Sequence, residues 1–283
     1  MRAITSTAYS RDLGDELRLL RETCAGVTGR AFAVQLGWDP SKVSTIEHGK
    51  ARASELDLIQ YLTACGKDLD YYDEFRRRYR HAFDLYFAQV PDNLRTLAMT
   101  ESMATKITSY DVMTAPGLLQ TRDYAHALFV EGGIETPENI VRGIELRVQR
   151  QAIMRRQRRP ECVFYVHELA LRMRLGSERI MDEQYRRMLF NTHVLRLVPA
   201  HVTSAALHAA CVLYEFNKAS PVVFSSTDTA KVFAQDSAAV ERSRKVFERL
   251  DAVALDEEQS RRKLAEYVGG LREEPHEPRS DLA

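Results

Sequence analysis

The chain has 283 residues, enough for one large domain or two of ordinary size, and its composition is typical of a folded globular protein. Lysine plus arginine equals aspartate plus glutamate at 40 each, so the bulk basic excess of many nucleic-acid-binding proteins is absent. No apolar stretch reaches the ~20 residues needed to cross a bilayer, and the amino terminus lacks the apolar core of a secretory signal, which predicts a cytoplasmic protein without membrane contact.

The amino-terminal region predicts short helices after a polar segment. Residues 1–11 are expected to form a flexible amino terminus, and leucines within residues 13–20 then recur at the spacing of an amphipathic helix. After a break rich in Gly and Thr, Thr28 can cap a second helix that ends at Gly37.

A third helix is predicted within the stretch GWDPSKVSTIEHG, residues 37–49. Asp39 supplies an N-cap, and Pro40 occupies the first helical position, where no N–H group is needed. One face of this helix is apolar, while the other faces carry short polar side chains and one lysine. A fourth helix is expected from about residue 54 to residue 66.

The segment 69–100 is rich in aromatic residues and arginine and is predicted to be a helical connector. Its basic run, residues 76–80, is either a solvated helix face or a contact for phosphates.

Strand and helix patterns alternate over residues 101–268, which predicts an α+β domain with a mostly antiparallel sheet flanked by helices. The predicted strands are 104–113, 161–168, 194–199, 209–216, 221–226 and 230–234. The predicted helices are 121–131, 137–157, 177–191, 237–253 and 256–268. Residues 269–283 are Pro-rich and charged and are expected to be a disordered tail. The expected fold is therefore mainly α, with an α+β second domain.

Residues 12–68 meet the requirements of a helix-turn-helix domain, although an ordinary helical hairpin with a polar outer face fits the same spacing. Ala33 is small where a second helix would cross, and Gly37 tolerates the left-handed turn. Polar side chains near the start of the second helix are where such a motif reads bases. The candidate DNA-binding residues are Arg30, Ser41, Lys42, Ser44, Thr45, Lys50 and Arg52. The basic residues would contact phosphates, and the hydroxyl residues would contact base edges or further phosphates.

Residues 12–66 resemble the Xre/Cro-type helix-turn-helix domain. The pattern of that family appears here as Ala33, Gly37, Ser44, Glu47 and Gly49. The resemblance implies a five-helix, lambda-repressor-like domain that binds double-stranded DNA. We expect Glu47 to pair within the domain, because a carboxylate would repel phosphate, and Trp38 to pack against the turn rather than stack on DNA.

The block APGLLQTRDYAHAL, residues 115–128, resembles the PGLLQT-x-x-YA signature of actinobacterial Scr1-like, antitoxin-like regulators. These join an Xre-type domain to a carboxy-terminal domain of unknown function (DUF5753). Residues 145–154, 167–177 and 249–264 are similar to further blocks of that family. The resemblance covers about residues 12–268 and implies a nucleoid-associated transcriptional regulator with a small companion protein encoded nearby.

The chain departs from the family at several candidate contacts. Family members often carry Gln in place of Gly29, where only the neighbouring Arg30 can substitute, and basic residues in place of Thr45 and His48. Residues 28–52 have a charge balance of only +2. Because affinity for DNA depends on the number of neutralised phosphates, we expect weak binding by a monomer. The prediction is a homodimer on a palindromic operator.

Catalytic, metal and cofactor sites are not predicted. The four cysteines are far apart and are expected to be reduced thiols, and the eight histidines form no metal-binding cluster. No Gly-rich phosphate loop is present, and His167 and Glu168 would point to opposite faces of a strand.

The role of the second domain stays open at this point. It binds either a companion protein or a small effector. A third interpretation is that the chain is an antitoxin-like interaction adaptor whose helix-turn-helix no longer binds DNA. The arginine-rich segment 142–159 is either a solvated helix face or a contact for an acidic partner or flanking DNA.

Overall fold

The computed structural model describes residues 6–84, 86–89, 94–202, 207, 209–217, 219–227 and 230–270, and only the backbone of 86–89, 94 and 95. Contacts divide the chain into two compact units. One comprises Met1–Thr105 with Leu213–Glu241, and the other comprises Lys106–Val212 with Arg242–Ala283. Most of the predicted disordered tail lies outside the described residues. Within them, no helix combines the length and apolarity required to span a membrane.

The first unit contains the predicted set of amino-terminal helices. Their bounds are α1 (Ala8–Leu20), α2 (Gly29–Leu36), α3 (Pro40–Glu47), α4 (Glu55–Ala64), α5 (Leu69–Tyr79) and α6 (Leu94–Met103). A short π-helical turn, Arg21–Ala25, follows α1. The helical amino-terminal region expected from the sequence is confirmed, with α1 to α5 preceding the strand Tyr86–Gln89 and α6 following it.

Helix α1 begins earlier than the flexible segment 1–11 predicts. The Thr7 side chain accepts a hydrogen bond from the Ser10 amide at 2.9 Å, and the Ser10 hydroxyl accepts one from the Thr7 amide at 3.0 Å. This reciprocal capping box starts the helix at Ala8. Tyr9 is only 3% exposed, so residues 8–11 form part of the packed unit, while residues 1–5 lie outside the described ones.

The predicted helical connector 69–100 is interrupted by a strand. Strand β1 (Tyr86–Gln89) pairs antiparallel with β7 (Lys231–Ala234), which also pairs antiparallel with β6 (Val222–Ser226). Two aromatic residues begin β1, and such residues favour extended structure. Because the partner strand is far away in sequence, local helical periodicity alone did not reveal this pairing.

The second unit combines parallel strands with helices. Its elements include β2 (Lys106–Asp111), α7 (Arg122–Gly132), α8 (Pro137–Arg150), β3 (Glu161–His167), α9 (Leu169–Arg172), α10 (Glu178–Leu189), β4 (Leu195–Val198) and α12 (Glu257–Gly270). Strand β5 (Cys211–Glu215) and helix α11 (Ser237–Val253) contain residues of both units.

Strand pairing is mixed rather than mostly antiparallel. In the second unit, β2 pairs parallel with β3, with Lys106 opposite Glu161, and β3 pairs parallel with β4. The helices between these strands provide the long connections that parallel pairing requires. The expected fold class, a helical region followed by a domain of strands flanked by helices, is confirmed, and the antiparallel expectation holds for β1, β7 and β6.

Helix packing in the second unit follows the apolar periodicity of α10. Met181, Tyr185 and Met188 are spaced at i, i+4 and i+7 and are each no more than 2% exposed. Helix α12 packs against α10, and its Ser260 hydroxyl accepts a hydrogen bond from the Leu197 amide in β4 at 3.0 Å.

The long helix predicted over 137–157 is shorter in the structure. Helix α8 ends at Arg150, and the chain continues as a tighter 3₁₀ segment, Gln151–Arg155. The buried Gln151 side chain donates to the carbonyl oxygens of Gly117 and Gln120 at 3.1 and 2.8 Å. These bonds anchor the end of the helix to the segment that carries the PGLLQT sequence.

Candidate nucleic-acid interface

The local structure of α3 is the one that its sequence predicts. The Asp39 carboxylate accepts a hydrogen bond from the Ser41 amide at 2.7 Å, and Pro40 is the first helical residue. Hydrogen bonds from the Ser41 side chain and backbone lower the pKa of Asp39, so the cap is ionised at neutral pH. Gly37 ends α2 with φ of 68°, in the left-handed region that favours glycine.

Close contact with α1 fixes the carboxyl end of α3. Gly49 has φ of 64°, and a Cβ atom there would lie 2.5 Å from the carbonyl carbon of Ser10. The Ser10 hydroxyl also donates to the Gly49 carbonyl oxygen at 2.9 Å. On α1, a Cβ atom at Gly14 would lie 2.5 Å from the Glu47 carbonyl oxygen. Glycine is therefore required at both positions for the two backbones to approach.

A buried polar network holds the inner face of α3. The Glu47 carboxylate accepts hydrogen bonds from Arg21 Nε and Nη2 at 2.7 and 2.8 Å and from the Tyr61 hydroxyl at 2.6 Å. Burial, followed by the hydrogen bond to Glu47, raises the pKa of Tyr61, so that the phenol remains a donor. Glu47 is 4% exposed. The prediction that Glu47 pairs within the domain is confirmed, while its partner Arg21 was not foreseen.

The opposite face of α3 is exposed to solvent. Val43 and Ile46 are buried, whereas Ser41, Ser44 and His48 are exposed. The three exposed residues are spaced at i, i+3 and i+7, which places them on one side of the helix. Helix α3 therefore offers a continuous polar face whose orientation is set by the buried one.

Lys42 already has partners within the first unit. Its Nζ atom lies 2.6 Å from Asp57 Oδ1 and 4.2 Å from the centre of the Trp38 ring. Burial raises the pKa of Asp57, but hydrogen bonds from Lys42 and Ser54 outweigh it and leave that pKa below the usual range. The Lys42 side chain is 40% exposed, so it can exchange Asp57 for a phosphate only at the cost of this ion pair.

Trp38 packs against the turn as predicted. Its Nε1 donates to Gln60 Oε1 at 3.1 Å, and its ring lies 6.4 Å from the ring of Tyr61 between centroids. Together with the Lys42 contact, these interactions occupy both the edge and one face of the indole.

Arg52 is also engaged by a carboxylate. Its Nη2 lies 3.2 Å from Asp84 Oδ1, and its guanidinium carbon lies 5.3 Å from the centre of the Phe83 ring. Asp84 contacts His81 as well, at 2.9 Å from Nδ1. The ion pair is exposed on both sides, and such pairs contribute only about 0.2–1 kcal/mol.

Two of the predicted phosphate contacts are free of ion pairs. Arg30, in the first turn of α2, and Lys50, just after α3, are exposed and have no side-chain partner among the residues that the structure describes. These two cations are the ones that need not give up an internal partner to bind DNA.

The remaining predicted residues are hydroxyls with local contacts. Thr45 is half-buried, and its hydroxyl donates to the Lys42 carbonyl oxygen at 3.1 Å, which leaves only its acceptor capacity for a ligand. The Ser44 hydroxyl is exposed, 3.4 Å from His48 Nδ1.

His48 belongs to the same polar face but was not among the predicted contacts. Its Nδ1 lies 2.6 Å from the Ser44 carbonyl oxygen. Because a carbonyl oxygen only accepts, Nδ1 carries the proton, and Nε2 is left as an acceptor in the neutral ring. The spacing of four residues from Ser44 is the sequence signal that could have identified it.

In the second unit, side-chain amides bind the backbone of the PGLLQT segment. The Gln184 Nε2 donates to the Leu119 carbonyl oxygen at 3.1 Å, and its Oε1 accepts from the Thr121 amide at 2.7 Å. Arg147 donates to Gln120 Oε1 at 2.6 Å. Thr121 caps α7 by accepting from the Tyr124 amide at 3.2 Å.

His167 and Glu168 have separate partners. The Glu168 carboxylate accepts from the Ala200 amide and the Tyr267 hydroxyl, both at 2.8 Å, whereas His167 Nδ1 accepts from the Leu169 amide at 3.2 Å. Among the described residues, no group of three or more His, Cys, Asp or Glu side chains is arranged to hold a metal ion.

Comparison with protein families gives two matches along the chain. Residues 12–75 match a helix-turn-helix domain, and residues 94–266 match a domain of unknown function, DUF5753. The helix-turn-helix match includes every predicted DNA-binding residue and suggests a DNA-binding regulator. Neither the curated proteins nor the solved structures include a match to this chain.

Proposed function

The chain belongs to the DUF5753 family, and on that premise we propose that it is a sequence-specific DNA-binding transcriptional regulator of the Xre type. The observation that carries the proposal is the exposed polar face of α3, whose opposite face is fixed by the buried network of Glu47, Arg21 and Tyr61. A rigid helix with a polar outer face, preceded by a glycine turn, is what major-groove reading requires.

The proposed contacts fall into two groups. Arg30 and Lys50 neutralise phosphates directly, because their charges are available, and Lys42 and Arg52 do so after exchanging their aspartate partners. A second set of side chains, on α3 and at its carboxyl end, meets base edges or further phosphates. This set is Ser41, Ser44 and Thr45, to which we add His48.

Dimerisation is part of the proposal because the interface carries little charge. In a plot of log affinity against log salt concentration, each neutralised phosphate adds about 0.9 to the steepness of the slope. Because these contacts supply much of the affinity, an interface with few of them binds DNA weakly. Two recognition helices placed one DNA turn apart on a palindromic operator double the number of contacts.

The DUF5753 domain is proposed to modulate DNA binding from within the cytoplasm, at the nucleoid. Its effector is a small molecule or a small companion protein encoded nearby, as in the Scr1-like, antitoxin-like regulators of actinobacteria that the chain resembles. Nothing in this assignment requires catalysis, so a non-enzymatic role is proposed.

The alternative function is an interaction adaptor whose DNA binding is secondary or lost. One observation favours it: two of the four basic residues of the candidate interface, Lys42 and Arg52, form ion pairs with Asp57 and Asp84. These pairs lower the positive charge that the helix-turn-helix domain offers to DNA.

Selection of duplexes from a random-sequence library by the full chain, followed by sequencing, separates the two functions. We expect one palindromic motif to be enriched, and Ser41→Ala/Ser44→Ala to lose the enrichment. Thr23→Ala/Thr63→Ala removes two other exposed hydroxyls of the first unit and should keep it. Equal enrichment by both double variants contradicts base contacts by Ser41 and Ser44, whereas no enrichment by the wild type contradicts the regulator and supports the adaptor.

Light scattering at micromolar concentration tests the oligomeric state separately. A dimer is expected on the selected duplex, whereas a strict monomer both on and off DNA would remove dimerisation from the proposal.

A further inference from the structure

The second unit contains a cavity of about 300 Å³ beside the PGLLQT segment. Leu118 and Leu119 of that segment form part of its lining, together with Arg155, Arg159 and Arg187. The volume is at the lower end of the range of about 300–1,000 Å³ that is typical of small-molecule sites.

The position of Arg187 in this cavity is fixed by hydrogen bonds. Its Nη2 donates to Gln151 Oε1 at 3.0 Å, while Gln151 Nε2 binds the carbonyl oxygens of Gly117 and Gln120. One glutamine therefore connects the arginine on α10 to the backbone of the PGLLQT segment, so the segment and the charge are held together.

The cavity has an excess of positive charge. Of the residues that the structure describes, none with a carboxylate lines it, and none forms an ion pair with Arg155, Arg159 or Arg187. Other arginines of α10 behave differently, since Arg179 and Arg186 lie 2.7 Å from Glu183 and Asp182. Among the arginines of α10, therefore, only the one that lines the cavity lacks a carboxylate partner among the described residues.

Arg187 is incompletely hydrogen-bonded in this arrangement. Its Nε atom is buried without a hydrogen-bond acceptor among the described residues. Burial, followed by the charge of Arg155, lowers the pKa of Arg187 below its usual value. A half-buried guanidinium beside a second one is stabilised by an anion that accepts from both, because charge-assisted bonds to an oxyanion are roughly twice as strong as neutral ones.

The lining also has an apolar part, beside the polar side chains of Gln151, Asn191 and His193. Besides the two leucines, Met154, Pro160 and Val194 contribute to it. A bare inorganic ion would leave this surface uncovered, whereas a ligand with a hydrocarbon body would bury it.

We propose that this cavity binds a small organic anion, with a carboxylate or phosphate head at Arg155, Arg159 and Arg187 and an apolar body against Leu118 and Leu119. The regulatory meaning of such a ligand rests on the function proposed above, since it would be the effector of the DUF5753 domain. Binding itself is measured without DNA, so a failure of either proposal is distinguishable from a failure of the other.

Calorimetric titration of the full chain with four probes tests the inference. The probes are phenyl phosphate, benzoate, inorganic phosphate and benzyl alcohol. At least one of the two aromatic anions should bind at least tenfold more tightly than inorganic phosphate and benzyl alcohol, and comparison of the two identifies the preferred head group. Absence of saturable binding by either aromatic anion, or equal binding of the neutral alcohol, would overturn the proposal.

Arginine variants locate the site. Arg187→Gln should weaken binding of the better anion at least tenfold, and Arg155→Gln/Arg159→Gln should do the same while changing only exposed side chains. The double variant keeps the test valid if Arg187→Gln does not fold. Arg158→Gln, an exposed arginine outside the cavity lining, is the control and should bind like the wild type. Unchanged affinity in the double variant would contradict the assignment.

Discussion

In the first unit, two of the four basic residues around α3 and the buried Arg21 beneath it are paired with carboxylates. The arginines around the cavity of the second unit have no acidic partner among the described residues. An ion pair neutralises both charges within the fold and holds the two side chains in position. An unpaired charge beside apolar side chains lowers the stability of the folded state unless a bound ligand supplies the opposite charge. The comparison indicates that the first unit is built to hold a surface in position and the second to receive an anion.

Glu47→Gln tests the pairing in the first unit and should have the largest effect. It keeps the shape of the side chain but leaves the buried charge of Arg21 with only the exposed Glu22 as counter-charge, which costs about 3–5 kcal/mol of stability. Trp38 is the only tryptophan and lies in this region, so urea denaturation followed by its fluorescence reports the loss.

Glu22→Gln is the matched control. Glu22 contacts the same guanidinium at 3.5 Å but is 53% exposed, so its loss should cost less than about 1 kcal/mol. Equal losses in the two variants would mean that the buried network does not hold α3.

Asp111→Asn tests an unpaired carboxylate of the second unit. Asp111 accepts a hydrogen bond from Ser109 at 2.8 Å and has no cationic partner among the described residues. Burial, partly offset by that bond, raises the pKa of Asp111 to about 7. Because the folded state holds the proton more tightly than the unfolded state does, wild-type stability should fall as the pH rises from about 4 to about 7.

The asparagine variant cannot ionise and should lose this component of the pH dependence. At pH 8 we expect it to be about 1–3 kcal/mol more stable than the wild type, and at pH 4 similar to it. Thermal unfolding followed by circular dichroism at both pH values measures the difference. Parallel pH profiles for the two proteins would show that Asp111 is satisfied in some other way.

Several features of the fold were predictable because they depend on local chemistry. The cap at Asp39, the left-handed Gly37 and the exposed positions of α3 follow from short sequence patterns. Helix α11 has the bounds that its periodicity predicts. The family match over residues 94–266 agrees with the resemblance that the PGLLQT segment indicated.

Features that depend on distant partners were not predictable from one sequence. The parallel pairing of β2 with β3, the strand β1 inside a helical pattern and the partner of Glu47 all join residues remote along the chain. The cavity was missed for the same reason, since its arginines come from a 3₁₀ segment, the loop before β3 and α10. Sequence showed the arginine-rich segment but not which arginines lack carboxylates.

Asp84→Asn should have a smaller effect, in the direction of tighter DNA binding. It removes the carboxylate that neutralises Arg52, so affinity for the selected duplex should rise about two- to fivefold at low salt, as expected for one additional phosphate contact. Asp73→Asn removes the same charge from an aspartate paired with Arg76 and serves as the control in fluorescence anisotropy titrations. A similar gain in both variants would reflect net charge alone.

The salt dependence of DNA affinity tests the central claim most directly. Log affinity for the selected duplex is measured against log salt concentration for the wild type and for Arg30→Ala/Lys50→Ala. We predict that the double variant lowers the slope by about 1.8 for each protomer, because two phosphate contacts are lost. Arg242→Ala/Arg249→Ala, which removes two exposed arginines of α11, should leave the slope unchanged. An equal slope for the wild type and Arg30→Ala/Lys50→Ala would contradict DNA binding through this surface.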